Sequence, residues 1–124
     1  MKALVVDDSA CMRAFLKKIL KQLGIEVAEA ANGVEALSAL RAGLLVDLAL
    51  LDWNMPEMDG YELLSHIRSD AHFDSMQVVM VTTETETAQV AKALARGADE
   101  YIMKPFTRDV IVDKLQILGM QEPR

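Results

Sequence analysis

The sequence predicts an open α/β fold, a parallel sheet with helices on both faces. Five short apolar runs alternate with five segments of helical periodicity along the chain. The connections between the apolar runs are too long for two-residue hairpins, so successive strands must cross over and lie parallel. Each run also stops at a turn or a polar group, and in such a sheet all carboxyl ends share one edge, where ligands bind. The 124 residues fit one domain over 1–124, long enough to bury a core without disulfides or structural metal.

Lys2 to Val6 is rich in Val and Leu, as a strand buried on both faces should be, and ends at Asp7-Asp8-Ser9, where Ser9 can cap a helix. That helix is marked by Met12, Leu16, Ile19 and Leu23 at helical spacing, with Arg13, Lys17, Lys18 and Lys21 among them and Gly24 as its stop. Ile25 to Ala30 alternates more weakly, like a strand near a sheet edge, and Asn32-Gly33 is expected to turn the chain. Val34, Leu37 and Leu40 mark a short second helix ending at Gly43.

The third strand, Leu48 to Leu51, runs into Asp52. Pro56 biases Met55 away from helix, and Asp59-Gly60 can restart the chain as the helix Tyr61 to Arg68. The stretch beyond the acid is therefore a loop over a site. Gln77 to Thr82 is a fourth buried strand, closed by the polar stretch Thr83 to Thr87. An Ala-rich helix then runs to Gly97, Ala98 to Met103 forms a fifth strand bounded by Lys104-Pro105, and Thr107-Arg108-Asp109 opens a final helix carrying Ile111, Leu115 and Leu118.

A net charge of -6 and a pI near 4.8 argue against direct DNA binding and against an anionic membrane surface, and favour a protein partner with a basic patch. The single cysteine, Cys11, cannot form an intramolecular disulfide, and the chain opens on a strand rather than a signal sequence, so a cytoplasmic location is expected. No apolar run reaches the roughly 20 residues needed to cross a bilayer as a helix.

On the shared edge the first strand brings Asp7 and Asp8, the third Asp52, the fourth Thr82 and the fifth Lys104. Taken singly, each is a capping acid, a strand terminator or a solvated cation. Taken together they imply chemistry, because two carboxylates ~4 Å apart repel by about 4 kcal/mol at an effective dielectric of 20, and three want a cation. Carboxylate oxygens without histidine or thiolate select a hard ion, and a site that keeps waters and shares oxygens with phosphate suits Mg²⁺ better than Ca²⁺. A lysine and a hydroxyl aimed at the same place complete an arrangement for phosphoryl transfer, with Asp52 as nucleophile.

Through Asp7-Asp8, Asp52 with Pro56 and Asp59-Gly60, Thr82, and Lys104-Pro105-Phe106, the whole chain resembles the receiver domain of two-component response regulators. The resemblance implies a doubly wound, flavodoxin-like (βα)5 sandwich with sheet order 2-1-3-4-5. It implies that Asp52 is phosphorylated by a histidine kinase or a histidine phosphotransfer protein, with Mg²⁺ held by Asp7, Asp8, Asp52 and the Asn54 backbone carbonyl. Lys104 and Thr82 would bind the phosphoryl group, the peptide bond between Lys104 and Pro105 would be cis, and Thr82 and Tyr101 would form a switch. The fourth helix, fifth strand and fifth helix would then present a face to a downstream protein.

Asn54 and Glu84 would border the path of hydrolytic water and tune the phosphoryl lifetime. With Trp53 they look like the stand-alone chemotaxis-type regulators, which dock to proteins such as a flagellar motor switch. A haloacid-dehalogenase-like phosphatase also uses an aspartate nucleophile with Mg²⁺, but it needs a second acid where this chain has Asn54. A flavodoxin-like FMN carrier needs a Ser, Thr and Gly-rich first loop, whereas Asp7-Asp8 would repel phosphate. A receiver fold used only for docking, without phosphorylation, is the third alternative. Outside the motif, Cys11 is expected to be a small buried residue, His66 and His72 to lie at the surface, most methionines to fill core gaps, and Trp53 and Met58 to rim the site.

Overall fold

The computed structural model describes residues 1–83 and 87–119. Its elements run β1 (Lys2–Val6), α1 (Ala10–Gln22), β2 (Glu26–Ala30), α2 (Gly33–Arg41), β3 (Leu48–Asp52), α3 (Gly60–Arg68), a short 3-10 turn (Ala71–Phe73), β4 (Gln77–Thr82), α4 (Thr87–Arg96), β5 (Glu100–Met103) and α5 (Arg108–Ile117). The sheet is parallel throughout, in the order β2-β1-β3-β4-β5.

Every residue of β3 is buried, which is why its sequence reads as an unbroken apolar run rather than an alternation. The period-2 geometry of a strand splits that run between two cores. Leu4, Val6, Ala49, Leu51, Val78 and Met80 face Leu37, Leu40, Leu63, Leu64, Ile67 and Ala93 of α2, α3 and α4. Ala3, Val5, Leu48, Leu50, Val79 and Val81 face Leu16, Ile19, Leu20, Ile111 and Leu115 of α1 and α5. The edge strand β2 carries the half-buried residues that its weaker pattern implies, and the other edge strand, β5, is likewise half-buried.

Asn32 does more than turn the chain. It caps α2, its side chain accepting from the Glu35 backbone N–H at 2.8 Å, while Glu35 reaches back to the Ala31 N–H at 3.4 Å. Gly33 is then the first helical residue, and its lack of a side chain serves packing: a Cβ there would come within 2.9 Å of Met58. Asp59 caps α3 in the same way, through the Glu62 N–H at 2.8 Å.

Two expectations about single residues are corrected. Cys11 is exposed, because it lies on the outward side of the first turn of α1 rather than on the Leu16, Ile19 and Leu20 stripe. Trp53 is buried in the core beneath α3 rather than rimming the site, and Met58 packs against that same core. The loop after Asp52 folds back on itself, with the Gly60 N–H donating to the Trp53 carbonyl at 2.9 Å, and that return carries the indole inward. His66 and His72 are exposed.

Candidate functional site

Parallel register assembles the site. Val6 pairs with Leu51, so the next residue of each strand, Asp7 and Asp52, emerge side by side. Asp52 pairs with Val81, and Thr82 pairs with Met103, which puts Thr82 and then Lys104 one step further along the same edge. Backbone bonds extend the sheet past its last pairs: Trp53 donates to the Val81 carbonyl at 2.9 Å and Lys104 to the Thr82 carbonyl at 2.7 Å. The peptide bond between Lys104 and Pro105 is cis.

Asp7 and Asp52 are 2 % and 6 % exposed, whereas Asp8 is open to solvent. One carboxylate oxygen from each of the three lies within 4.8 Å of the others. The Lys104 ammonium sits 3.1 Å from Asp52 and 3.4 Å from Asp7, so it bridges the two buried acids. Asp7 also accepts from the Ser9 N–H at 2.8 Å, and its carbonyl accepts from Arg13 at 2.7 Å, which ties the first acid to the start of α1.

These positions set the electrostatics. Burial pushes the Asp52 carboxyl above its ordinary range, Asp7 adds to the push, Lys104 opposes it, and Asp8 contributes a smaller rise. Burial pulls the Lys104 ammonium down, but its hydrogen bond and attraction to Asp52, together with Asp7, outweigh that and leave it higher than an ordinary lysine. Among the described residues Lys104 is the one cation in ion-pair reach of these carboxylates, so negative charge is left over. An all-oxygen donor set with excess negative charge and an exposed third ligand fits a hard divalent ion.

Gly60 explains why the loop can close over Asp52. A side chain at that position would collide with the Asp52 carbonyl oxygen and crowd Trp53 Cα. The Gly at position 60 is therefore required by the close approach of α3 to the end of β3, while Glu57 takes the left-handed turn itself at φ 69°. Asn54 is exposed in this loop, and Glu84 lies outside the described residues.

Tyr101 is not part of the acid cluster. Its half-buried ring packs against the core on the α4 side, and Lys114 of α5 stands 4.5 Å from its centroid, itself held by Glu100 at 3.1 Å. Arg13 as a support for Asp7 was not anticipated from the sequence. Its position four residues after the Ser9 cap, on the first turns of a helix that starts at the site, is the signal that could have found it.

A doubly wound parallel sheet carrying three acids, a hydroxyl residue and a lysine on its carboxyl edge defines a phosphoacceptor class of signalling protein, and comparison with known families agrees. The response regulator receiver domain model matches residues 3–116, and the chain belongs to that family. It is 46 % identical over 119 residues to the Helicobacter pylori chemotaxis protein CheY1, covering 95 % of this chain and 96 % of the relative. It is also 46 % identical over 121 residues to a Campylobacter jejuni CheY homolog, covering 96 % and 93 %. Among solved structures, the Vibrio cholerae chemotaxis response regulator CheY4 superposes with a TM-score of 0.88 at 33 % identity, covering 94 % of this chain and 97 % of that one. The protein is a regulatory phosphoacceptor of the response regulator type.

Proposed function

We propose that the chain is one receiver unit in which Asp52 is the phosphoacceptor and a histidine kinase or histidine phosphotransfer protein the donor. The observation that carries this is the bridging of Asp52 and Asp7 by Lys104 at the carboxyl edge of the sheet. In the transfer, an Asp52 oxygen attacks the phosphorus, a P–O bond forms, the P–N bond to the donor imidazole breaks, and the imidazole leaves with the bonding pair. Lys104 is already within reach of the Asp52 carboxylate, so it would follow the charge onto the phosphoryl oxygens. Thr82, buried one register step beyond Asp52, would donate its hydroxyl to another.

Asp7, Asp8, Asp52 and the Asn54 backbone carbonyl would hold Mg²⁺, which when bound neutralises charge on the phosphoryl oxygens and their carboxylate neighbours. Asn54 and Glu84 would govern access of hydrolysing water and so the rate of self-dephosphorylation, and the protein would promote its own phosphorylation from small donors. Phosphorylation would favour an arrangement in which Thr82 moves toward the phosphoryl group and Tyr101 turns inward, changing the α4, β5 and α5 face for a downstream protein. The chemotaxis proteins among the relatives support a chemotaxis-type target such as a flagellar motor switch, acting in the cytoplasm. No helix among the described residues is long and apolar enough to cross a membrane.

Incubation with acetyl phosphate and Mg²⁺ tests the assignment by intact mass. A gain of one phosphoryl group is expected, lost in Asp52→Asn and lost without the metal. Labelling that persists in Asp52→Asn would move the acceptor elsewhere.

A further inference from the structure

We propose that Trp53, Tyr61 and Lys92 form a second route from the phosphoacceptor to α4, separate from Thr82 and Tyr101. The inference rests on Asp52 as the acceptor. Trp53 is the residue immediately after Asp52 and, though it follows an acid at a sheet edge, it is 7 % exposed. Its ring lies against that of Tyr61, with centroids 5.6 Å apart and planes 22° from parallel. Lys92 of α4 stands 4.4 Å from the Tyr61 ring centroid. Three side chains thus connect the end of β3, the first turn of α3 and the middle of α4.

The route has a stiff end and a soft end. At the stiff end, Trp53 is pinned by its N–H to the Val81 carbonyl and by its own carbonyl to the Gly60 N–H, both at 2.9 Å, so a shift of the β3 terminus reaches the indole directly. At the soft end, Lys92 is exposed and is bound by attraction to an aromatic face, which favours one of two positions by about two- to fivefold. Arg96, one turn along, extends the same contact by donating to the Ser65 carbonyl of α3 and to the hydroxyl of Ser69, which caps that helix, each at 2.9 Å. Residues 92 and 96 therefore lie along residues 61, 65 and 69, and α4 takes its position partly from α3.

Beryllofluoride, a phosphoryl mimic, and acetyl phosphate would be applied with Mg²⁺ to the wild-type chain, Lys92→Met, Lys92→Arg and Tyr61→Leu. Asp52 labelling would be followed by mass, Trp53 emission as the signal of the only tryptophan, and α4 amide hydrogen exchange. In the wild type, occupancy of Asp52 should change both emission and α4 exchange. Lys92→Met, at an exposed position, should label within about twofold of wild type while its α4 exchange response falls about two- to fivefold, and Lys92→Arg should restore it. Tyr61→Leu should lower the α4 response at least as far as Lys92→Met does and alter the emission. Full labelling with an undiminished α4 response in Lys92→Met and Tyr61→Leu overturns the inference alone. Absence of labelling in the wild type overturns the assignment of Asp52, and the inference with it.

Discussion

At the residue scale, Asp52 carries a cost that its function explains. Its carboxyl is raised by burial and by Asp7, so the fold favours the protonated acid. Such a group opposes folding increasingly as pH rises from its ordinary value of 3.8 through its raised one. Lys104 acts in the other sense, since a raised ammonium adds stability that persists until pH climbs through its raised value, well above neutrality. Of these two contributions, only that of Asp52 changes between its ordinary value and neutral pH. Without metal, Asp52→Asn should therefore melt above wild type at pH 7, with the gap closing as pH falls toward 4, a comparison that thermal unfolding by circular dichroism would make. Mg²⁺ at 100 times its dissociation constant should stabilise wild type by about 2.7 kcal/mol and Asp52→Asn by much less. An equal response in both proteins would place the ion elsewhere.

At the scale of elements, caps and close approaches decide where helices begin. The Asn32 side chain satisfies the Glu35 N–H, and Asn32→Ala should cost about 1 kcal/mol in urea unfolding, close to the usual loss of a helix cap. Gly60→Ala should cost more, about 3 kcal/mol, because the added methyl meets the Asp52 backbone rather than a flexible side chain. The same variant should also label poorly at Asp52, since relief of the clash must move either α3 or the acceptor. Neither Gly33 nor Gly60 is in a left-handed turn; both sit where a helix begins hard against another segment. Sequence spacing marks such a Gly as a turn residue, because the neighbour that excludes a side chain is remote in the chain.

At the scale of the whole molecule, Arg68 joins elements that the acid cluster does not reach. Its guanidinium donates to the Gly97 carbonyl at 2.8 Å, the Phe73 carbonyl at 3.1 Å and the Met76 carbonyl and Asp99 carboxylate at 2.7 and 2.9 Å. Asp99 in turn accepts from the Val78 N–H at 2.8 Å. One planar fork thus fastens the end of α3 to the turn before β4 and to the junction of α4 with β5. Arg68→Met keeps much of the stem but leaves carbonyls without a donor, and should destabilise by about 3 kcal/mol in equilibrium unfolding while Asp52 remains competent to label. Loss of labelling in a folded Arg68→Met would mean that this clasp also positions the site.

The five strands, their parallel arrangement and the group of Asp7, Asp8, Asp52, Thr82 and Lys104 were legible in the chain because they depend on local regularities. A buried strand must be apolar along its length, a helix must repeat at 3.6 residues, and polar residues that end parallel strands must meet on one edge. The strand order came only from resemblance, since periodicity does not say which strands are neighbours. The inward Trp53, the outward Cys11, the ring contacts of Tyr61 and Lys92 and the Arg68 clasp depended on which segments lie beside one another. Some of those contacts span about thirty residues, such as Arg68 to Gly97 and Asp99 or Lys92 to Tyr61, and the shorter ones form only because a loop folds back, so a side chain's surroundings are set by which elements pack together rather than by its neighbours in sequence.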